Sequence, residues 1–499
     1  MFGTTLNLVL AKSRADRDMR LPNAILAIDL GMAATKSSII YLPASTPKTD
    51  VKPISVTFEG AARSTGPKDP KDQAPIVHTS IPTMLSYNAA QMSWDAGPAA
   101  VGHDAMREDM MEDYDIYKHF KISALRDPRG RVASTNGRSQ REGGQLLQHF
   151  LAAIHPKIEN FFNQNRPSSI PLWYNATIHI VLSAPPQAGA TGTDALHSLA
   201  TKVFASPTHT VWPVSLSEPE AASYYVAGEV RMTQPRLPKT STLLVADLGG
   251  GTSDLALVYM KKKKAAIGTG FIKPVISMHR GGAHVDKSLA AMVLRVFQKA
   301  EDYLLEGVTP ERAAYMVTSS CDFLEIKPRF SAGFEHLMVY NLKGLAKSAE
   351  VREVLGVSIS RNYLLINRRA LHRPFDEQIS GTPTRPAIVE HLLDMRGDLY
   401  AGAPLAAQAK MSTKLDSFVF VGGFGSSTYV QDAVRSALER NSCTANAALH
   451  GIMSDTVFPK VAHPQLAVVH GLAMAHHLLL LHKTRPSQKA LVVPRYMFV

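Results

Sequence analysis

Two aspartates flank a run of three glycines, and together these residues could bind a phosphate group. Between the apolar segments 243–246 and 255–258, the chain reads Asp247, Leu248, Gly249, Gly250, Gly251, Thr252, Ser253 and Asp254. Glycine permits positive φ angles and lets backbone N–H groups approach a ligand, so the tip of such a hairpin can surround an anion. Carboxylates beside a phosphate require a cation between them, which suggests Mg²⁺ or an activated water. A simple connecting β-turn is the alternative.

A second hairpin of the same outline lies near the start of the chain. In residues 24–42, Asp29 and Gly31 follow an apolar strand, and Thr35 and Lys36 lead into a second one. Two such hairpins facing each other across a cleft could hold a polyphosphate from both sides, with Lys36 neutralising one oxygen. The alternative is a pair of unrelated β-turns.

A third glycine-rich turn joins a predicted strand to a predicted helix in residues 418–438. Its glycines are Gly422, Gly423 and Gly425. Close backbone approach and a helix N-terminus together make a platform for an anion or a nucleotide. The sequence contains no Walker A motif, no dinucleotide GxGxxG motif and no kinase HRD–DFG set, so these three nucleotide-binding solutions are not supported.

Charged residues from two other segments are candidates for the same cleft. Glu218 directly precedes Pro219 and an alanine-rich run, which predicts a strand-to-helix junction that points Glu218 into the cleft. Lys118 and Lys121 lie among aromatic and apolar residues in segment 113–126. Most lysines in such a position extend from a packed segment to solvent, so a structural role is the alternative for both.

The composition indicates a globular protein made for a reducing compartment. The chain has 499 residues, of which 45% are hydrophobic and 19% charged, and two are cysteines, too few for a disulfide framework. We therefore expect a cytoplasmic location, with the nucleus as the alternative. The net charge of +12 favours acidic partners. The charge is dispersed, however, and the basic run 261–264 is predicted to form a hairpin turn, so we expect neither a nucleic-acid nor a membrane partner.

Two terminal segments and one apolar segment lie outside these motifs. Residues 1–21 are predicted to be a disordered leader, because their apolar stretch precedes the basic residues, the reverse of a secretory signal. Residues 483–499 are predicted to be a tail. The most apolar segment, 466–481, contains three histidines and is short for a bilayer span, so we predict a buried helix.

The three glycine-rich stretches and the acidic motif, taken in order, resemble a known family. The sequences SEPEAA (217–222), ADLGGGTSD (246–254) and VGGFGSS (421–427) are similar to motifs of the 70-kDa heat-shock chaperones, in their nucleotide-binding domain. Within that family they resemble most a divergent branch common in fungi, whose closing helix is similar to VVHGLAMA (468–475). The chaperones belong to the actin-like ATPase superfamily, with actin and sugar kinases. The resemblance covers residues 22–481.

The resemblance implies ATP or ADP with Mg²⁺ as the ligand. It makes Asp29 and Asp247 the carboxylates that organise hydrated Mg²⁺, and Glu218 the residue that helps to position the attacking water. Asp254 would support the site, and Lys121 would be the catalytic lysine, with Lys118 as its rival. The phosphate-binding turn implied by the family comprises Gly249, Gly250, Gly251 and Thr252. The other implied nucleotide-binding residues are Gly31, Thr35, Lys36, Gly282, Lys327, Ser331, Gly422, Gly423 and Gly425.

Three departures from the family pattern bear on activity. Met32 and Ala33 follow Asp-Leu-Gly where the chaperones usually carry Thr-Thr, so we expect weakened hydrolysis, which Lys36 could partly restore. Pro185 resembles the proline of the chaperones' interdomain switch, but Thr193 stands where the family has an arginine. The chain ends 18 residues after Leu481, so we expect neither a β-sandwich peptide-binding domain nor a helical lid.

We therefore expect an α/β protein with the two-lobed, ribonuclease H-like fold of actin-like ATPases, in which mixed sheets flank a central nucleotide cleft. Lobe I is expected in residues 22–214, lobe II in 215–417, and the adenosine motif and closing helix in 418–482. The expected function is slow ATP hydrolysis of the chaperone type, read by a protein client or co-chaperone. The alternatives are a non-hydrolysing nucleotide-dependent scaffold or sensor and a small-molecule kinase of the same superfamily, for which no general base can be named.

Overall fold

The computed structural model of the chain is a mixed α/β fold in which sheets combine parallel and antiparallel strands. The general expectation of an α/β fold is therefore confirmed. The structure describes residues 21–43, 51–59, 77–96, 114–134, 139–234, 236–238, 240–263, 266–272, 275–318, 338–342, 346–381, 388–389, 392, 415–444 and 456–484.

The strands and helices alternate irregularly along these residues. The strands are β1 Ala24–Leu30, β2 Ala34–Tyr41, β3 Ile54–Ser55, β4 Phe58–Glu59, β5 Val77–His78, β6 Ile81–Pro82, β7 Met84–Asn88, β8 Ser93–Ala96, β9 Tyr114–Lys118, β10 Arg131–Ala133, β11 Gln140–Glu142, β12 Ile178–Leu182, β13 His209–Val211, β14 Thr240–Leu248, β15 Ser253–Lys263, β16 Ala266–Phe271, β17 Ile276–Met278, β18 Met338–Asn341, β19 Ala349–Val354, β20 Val357–Arg361, β21 Tyr363–Ile366 and β22 Ser417–Val421. The helices are α1 Phe120–Arg126, α2 Gly143–Asn165, α3 Gly189–Phe204, α4 Glu218–Thr233, α5 Gly282–Lys299, α6 Pro310–Thr318, α7 Arg368–Ile379, α8 Thr428–Thr444 and α9 Ala467–Thr484. A short helical turn covers Gly422–Gly425.

Two larger sheets repeat one arrangement of strands. In the first sheet, the β1–β2 hairpin is antiparallel, and β12 pairs in parallel with the other edge of β1. In the second sheet, the β14–β15 hairpin is antiparallel, and β22 pairs in parallel with the other edge of β14. Strands β1 and β14 are buried almost throughout, as their uninterrupted apolar sequences predict for central strands. Each hairpin therefore presents its tip at the end of a central strand.

A layer of two helices lies between the two sheets. Helix α9 contacts β1, β2 and β12, while α4 contacts β14 and β15, and the two helices pack on each other. They cross so closely that a side chain at Gly471 would collide with the carbonyl of Ala221. The buried apolar residues of this layer form one cluster with Ile25, Val245 and their neighbours in both sheets. The cluster connects the two sheets through the packing of α9 on the first sheet, α4 on the second, and the two helices on each other.

The most apolar segment of the sequence forms α9 and the turn before it. Among the described residues, Pro464–Leu481 is long and apolar enough to cross a membrane by length and composition, and 61% of it is buried inside the protein. The prediction of a buried helix is confirmed. The prediction that the basic run 261–264 forms a turn is wrong for Lys261 to Lys263, which lie in β15 and pair with β16, while Lys264 lies outside the described residues.

Candidate functional site

The glycine turn between β14 and β15 directs two backbone N–H groups away from helix α5. The turn is closed by the Gly249 N–H, which donates to the Thr252 carbonyl at 2.9 Å. At the start of α5, the N–H groups of Gly282 and Ala283 donate to the carbonyls of Gly249 and Gly250 at 3.1 and 2.6 Å. In a trans peptide the N–H points opposite to the carbonyl, so the N–H groups of residues 250 and 251 face away from α5. These donors suit an anion.

The β1–β2 hairpin contributes a buried aspartate and a lysine to the same region. Asp29 and Lys36 are direct cross-strand neighbours, and their charged atoms lie 3.5 Å apart. The Thr35 hydroxyl is fully buried and bonds the Thr83 hydroxyl at 2.9 Å, while Thr83 donates to the Gly31 carbonyl at 2.7 Å. Thr35 and Gly31 therefore stabilise the turn between β1 and β2 through Thr83, and Lys36 supplies the positive charge of this hairpin.

Helix α4 begins at the site and brings Glu218 into it. Its N-terminus is fixed by a capping box, in which Ser217 and Glu220 satisfy each other's backbone donors. The Glu218 side chain receives a charged hydrogen bond from Lys121 on α1. Lys121 is only 2% exposed, whereas Lys118 lies in β9 opposite Met84. The structure thus places Lys121 in contact with Glu218, and the role of catalytic lysine stays a prediction.

Asp254 is held from both sides by hydroxyl groups. It lies opposite Asp247 in the β14–β15 register and is 1% exposed. One carboxylate oxygen accepts from Thr252 at 3.0 Å, and the other accepts from Ser277 on β17. Ser277 was not identified from the sequence. Its position opposite Asp254 depends on how β17 pairs with β15, and no local sequence pattern predicts that pairing.

The four carboxylates carry more negative charge than the two lysines can neutralise. Burial, then the charges of Asp254, Glu218 and Asp29, raise the pKa of Asp247 well above its usual value. Burial also raises the pKa of Asp254 to about 7, although its two hydroxyl donors oppose the shift. The pKa of Glu218 is raised by burial against the opposing charge of Lys121. The cluster therefore favours either bound protons or a bound cation.

Direct coordination of a metal ion by these carboxylates has no support in the structure of the described residues. Within the described ranges, no group of three or more His, Cys, Asp and Glu side chains converges closely enough to hold a metal ion. Carboxylates with raised pKa values would still be stabilised by a divalent cation that keeps its waters, as Mg²⁺ commonly does.

The tips of the two hairpins touch each other through Met32 and Ala33. A Cβ placed on Gly251 would lie 2.5 Å from the Met32 Cγ, and one on Gly250 would lie 3.0 Å from the Ala33 Cβ. The Met32 side chain therefore rests directly on the glycine turn. It occupies space beside the N–H groups of residues 250 and 251.

The third glycine-rich turn adjoins the same carboxylates. Gly422 has a φ of +82°, and a Cβ there would lie 2.6 Å from an Asp247 carboxylate oxygen. Gly425 rests on Leu248, with 3.4 Å from its virtual Cβ to the Leu248 Cβ. Gly423, in contrast, is exposed and faces open space. Only Gly423 is therefore open to a ligand, while Gly422 is needed for close packing.

The structure brings together most of the candidate residues. Asp29, Lys36, Lys121, Glu218, Asp247 and Asp254 are within electrostatic reach of one another, and the glycine turns border them. Gly282 serves the site indirectly, through its bond to Gly249. Lys327 and Ser331 lie outside the described residues.

A scan against models of known protein families finds no match for this chain, and a search of curated proteins finds no match either.

Proposed function

We propose that the chain binds Mg·ATP between its two hairpins and hydrolyses it slowly, in the manner of the 70-kDa heat-shock ATPases that its motifs resemble. The observation that carries the proposal is the buried cluster of four carboxylates and two lysines next to a glycine turn with outward N–H groups. A buried excess of negative charge destabilises a folded protein, so it is retained where a ligand compensates for it. A phosphate-bound divalent cation provides that compensation.

Each group in the cluster has a distinct task in this proposal. The N–H groups of Gly250 and Gly251 bind phosphate oxygens, and Lys36 adds a positive charge from the opposite hairpin. Glu218 orients the attacking water and is itself oriented by Lys121. Asp29 and Asp247 hold water molecules around Mg²⁺, which when bound screens the phosphate oxygens and neutralises developing charge. These residues act by position and charge, without a covalent intermediate.

The proposal includes the finer architecture expected from the sequence. Two lobes of the actin-like type, each built on one of the larger sheets, would enclose the nucleotide, with its adenosine end toward the turn at Gly422, Gly423 and Gly425. The matching strand arrangement of the two sheets supports this assignment. A protein client or co-chaperone would respond to the separation of the lobes, which nucleotide controls.

A nucleotide sensor with little hydrolysis is the second candidate. The contact of Met32 with the glycine turn favours it, because a thioether cannot donate a hydrogen bond to a phosphate and narrows the space beside the turn. In this version the nucleotide state is set by exchange of ATP and ADP. The residues that bind the nucleotide are the same in both versions, and only the rate of ATP hydrolysis differs.

Single-turnover hydrolysis of Mg·ATP tests the proposal. Asp247→Asn should reduce the rate by about a thousandfold or more, because the amide cannot hold the hydrated cation, and it should leave the fold intact. Asp194→Asn, at an exposed position of α3, is the matched control and should hydrolyse at the wild-type rate. Unchanged turnover in Asp247→Asn would remove this site from the mechanism. Tight binding without turnover in the wild type would select the sensor.

A further inference from the structure

A hydrogen-bonded chain of side chains links the two larger sheets at Asp254. Ser277 lies directly opposite Asp254 in the pairing of β17 with β15. Its hydroxyl contacts the Asp254 carboxylate and also the side-chain amide of Gln187. Gln187 is exposed and belongs to the short 3₁₀ turn Pro186–Ala188, which follows strand β12 of the first sheet. The chain therefore begins on one sheet and ends in the carboxylate cluster of the other.

When Asp254 is ionised, the direction of each hydrogen bond in this chain follows from the chemistry of its members. An ionised carboxylate only accepts, so the single hydroxyl proton of Ser277 goes to Asp254. Ser277 must then accept from its other neighbour, and the Gln187 Nε2 group donates. Donation from the amide polarises the hydroxyl and strengthens its bond to the carboxylate. The second Asp254 oxygen remains bound to Thr252 of the glycine turn.

The position of Gln187 depends on a rigid local turn. Pro185 and Pro186 fix two successive φ angles, and the Ala188 N–H donates to the Pro185 carbonyl at 2.9 Å. The Gln187 side chain thus reaches Ser277 without a mobile loop. Any movement of the first sheet away from the second would withdraw the whole turn and break the bond to Ser277.

We propose that Gln187 is a positioning residue, which acts through Ser277 to orient the Asp254 carboxylate toward the glycine turn only when the two sheets are close together. This inference rests on the proposed function, since it assigns a trigger to the same site. Gln187 touches neither nucleotide nor metal. Through Gln187, the orientation of the Asp254 carboxylate would depend on how close the two sheets are. The same would hold for Thr252, which donates to that carboxylate.

The direction of these hydrogen bonds predicts which substitution of Gln187 impairs the site more. Gln187→Ala removes the donor and leaves Ser277 bonded to Asp254. Gln187→Glu replaces the donor with an acceptor of equal size, which competes with Asp254 for the Ser277 proton and adds a negative charge. The glutamate variant should therefore be more impaired than the alanine variant, although it is the closer substitution in shape.

The test combines a kinetic arm with a double-mutant cycle. Gln187→Ala should slow single-turnover hydrolysis about three- to tenfold, the range expected for one hydrogen bond, and change the Kd for Mg·ATP by less than about twofold. Gln187→Ala should have no additional effect in a Ser277→Ala background, whereas Ser277→Thr keeps the hydroxyl and should retain the wild-type rate. Gln298→Ala, at an exposed position of α5, is the matched control and should leave the rate unchanged.

A second arm requires no nucleotide. In the nucleotide-free protein at one fixed pH, the ¹³C carboxyl signal of Asp254, assigned by its loss in Asp254→Asn, should move in Gln187→Ala and stay in place in Gln298→Ala. An unmoved signal, or independent effects of Gln187→Ala and Ser277→Ala on the rate, would overturn the positioning role. A wild-type protein that does not hydrolyse ATP would overturn the ATPase proposal instead, and the carboxyl signal would still decide the role of Gln187.

Discussion

At the scale of single residues, Met32 decides how open the glycine turn is. Its side chain lies on Gly251, next to the N–H groups that we assign to phosphate. Lys36 of the same hairpin lies 3.5 Å from the Asp29 carboxylate. One hairpin thus contributes a charge that favours nucleotide and an apolar side chain that restricts it.

Replacement of Met32 should increase activity. Met32→Thr shortens the side chain and introduces a hydroxyl that can donate to a phosphate, so we expect single-turnover hydrolysis to rise by about fivefold or more, the effect of one good hydrogen bond. Met232→Thr, at an exposed position near the end of α4, is the control and should have no effect. A rate that stays constant or falls in Met32→Thr would show that the thioether does not obstruct the site.

At the scale of elements, the turn after β22 depends on one glycine more than on its neighbour. Gly422 combines a positive φ with contact to Asp247 and Leu248, while the next residue, Gly423, faces open space. The sequence shows both as members of one glycine-rich motif. Their environments differ because β22 pairs in parallel with β14 and places only the first glycine against that strand.

Alanine substitutions should separate the two glycines. Gly422→Ala should lower the free energy of unfolding by about 2 kcal/mol or more, because it strains the backbone and displaces the Asp247 carboxylate. Gly423→Ala is the matched control and should unfold within about 0.5 kcal/mol of the wild type. Denaturant titration of both proteins provides the measurement. Equal stabilities of the two variants would contradict the close packing at Gly422.

Helix α9 contains a buried histidine whose protonation we expect to destabilise the folded protein in acid. His470 bonds the Ser55 hydroxyl at 2.9 Å and faces the ring of Tyr225, and burial lowers its pKa to about 4, with a smaller effect from His463. In the unfolded chain its pKa is about 6.5. The unfolded state therefore binds the proton first, and the stability from neutral His470 is present above pH 6.5 and lost between pH 6.5 and 4.

The contribution of His470 can be isolated by measuring the free energy of unfolding against pH in the wild type and in a variant. His470→Gln should reduce the loss of unfolding free energy between pH 7 and pH 4 by roughly 3 kcal/mol relative to the wild type. The raised pKa of Asp254 has the opposite sign, because it stabilises the folded state as the pH falls, but it is common to both proteins. Identical pH dependence of stability in wild type and variant would rule out His470 as the acid-sensitive group.

Most local features of the site could be predicted from the sequence, and most long-range contacts could not. Both hairpins and the start of α4 follow from apolar runs, glycines and a capping pattern within a few residues of each other. Lys121 could not be separated from Lys118, because burial depends on residues far away in the chain. Ser277 and Gln187 carry no local signal, since only strand pairing and the approach of two sheets give them their partners.

At the scale of the whole molecule, the two larger sheets each contribute different residues to the candidate site. The first supplies Asp29, Lys36 and Met32, and the second supplies Asp247 and the glycine turn. Helices α4 and α9 connect the sheets on one side of these residues. A ligand that binds both hairpins would therefore resist their separation, and loss of the ligand would leave like charges to repel each other. In the function that we propose, this arrangement would transmit the nucleotide state to a partner protein.

The most direct test of the account is calorimetric titration of the wild-type chain with ATP, with Mg²⁺ and then with the metal chelated. We predict one site whose affinity for ATP falls by about tenfold or more without Mg²⁺, since the carboxylates then repel the phosphates. The same titration of Asp247→Asn should show little dependence on Mg²⁺. Absence of ATP binding, or binding of equal strength with and without Mg²⁺ in the wild type, would contradict the assignment of this site.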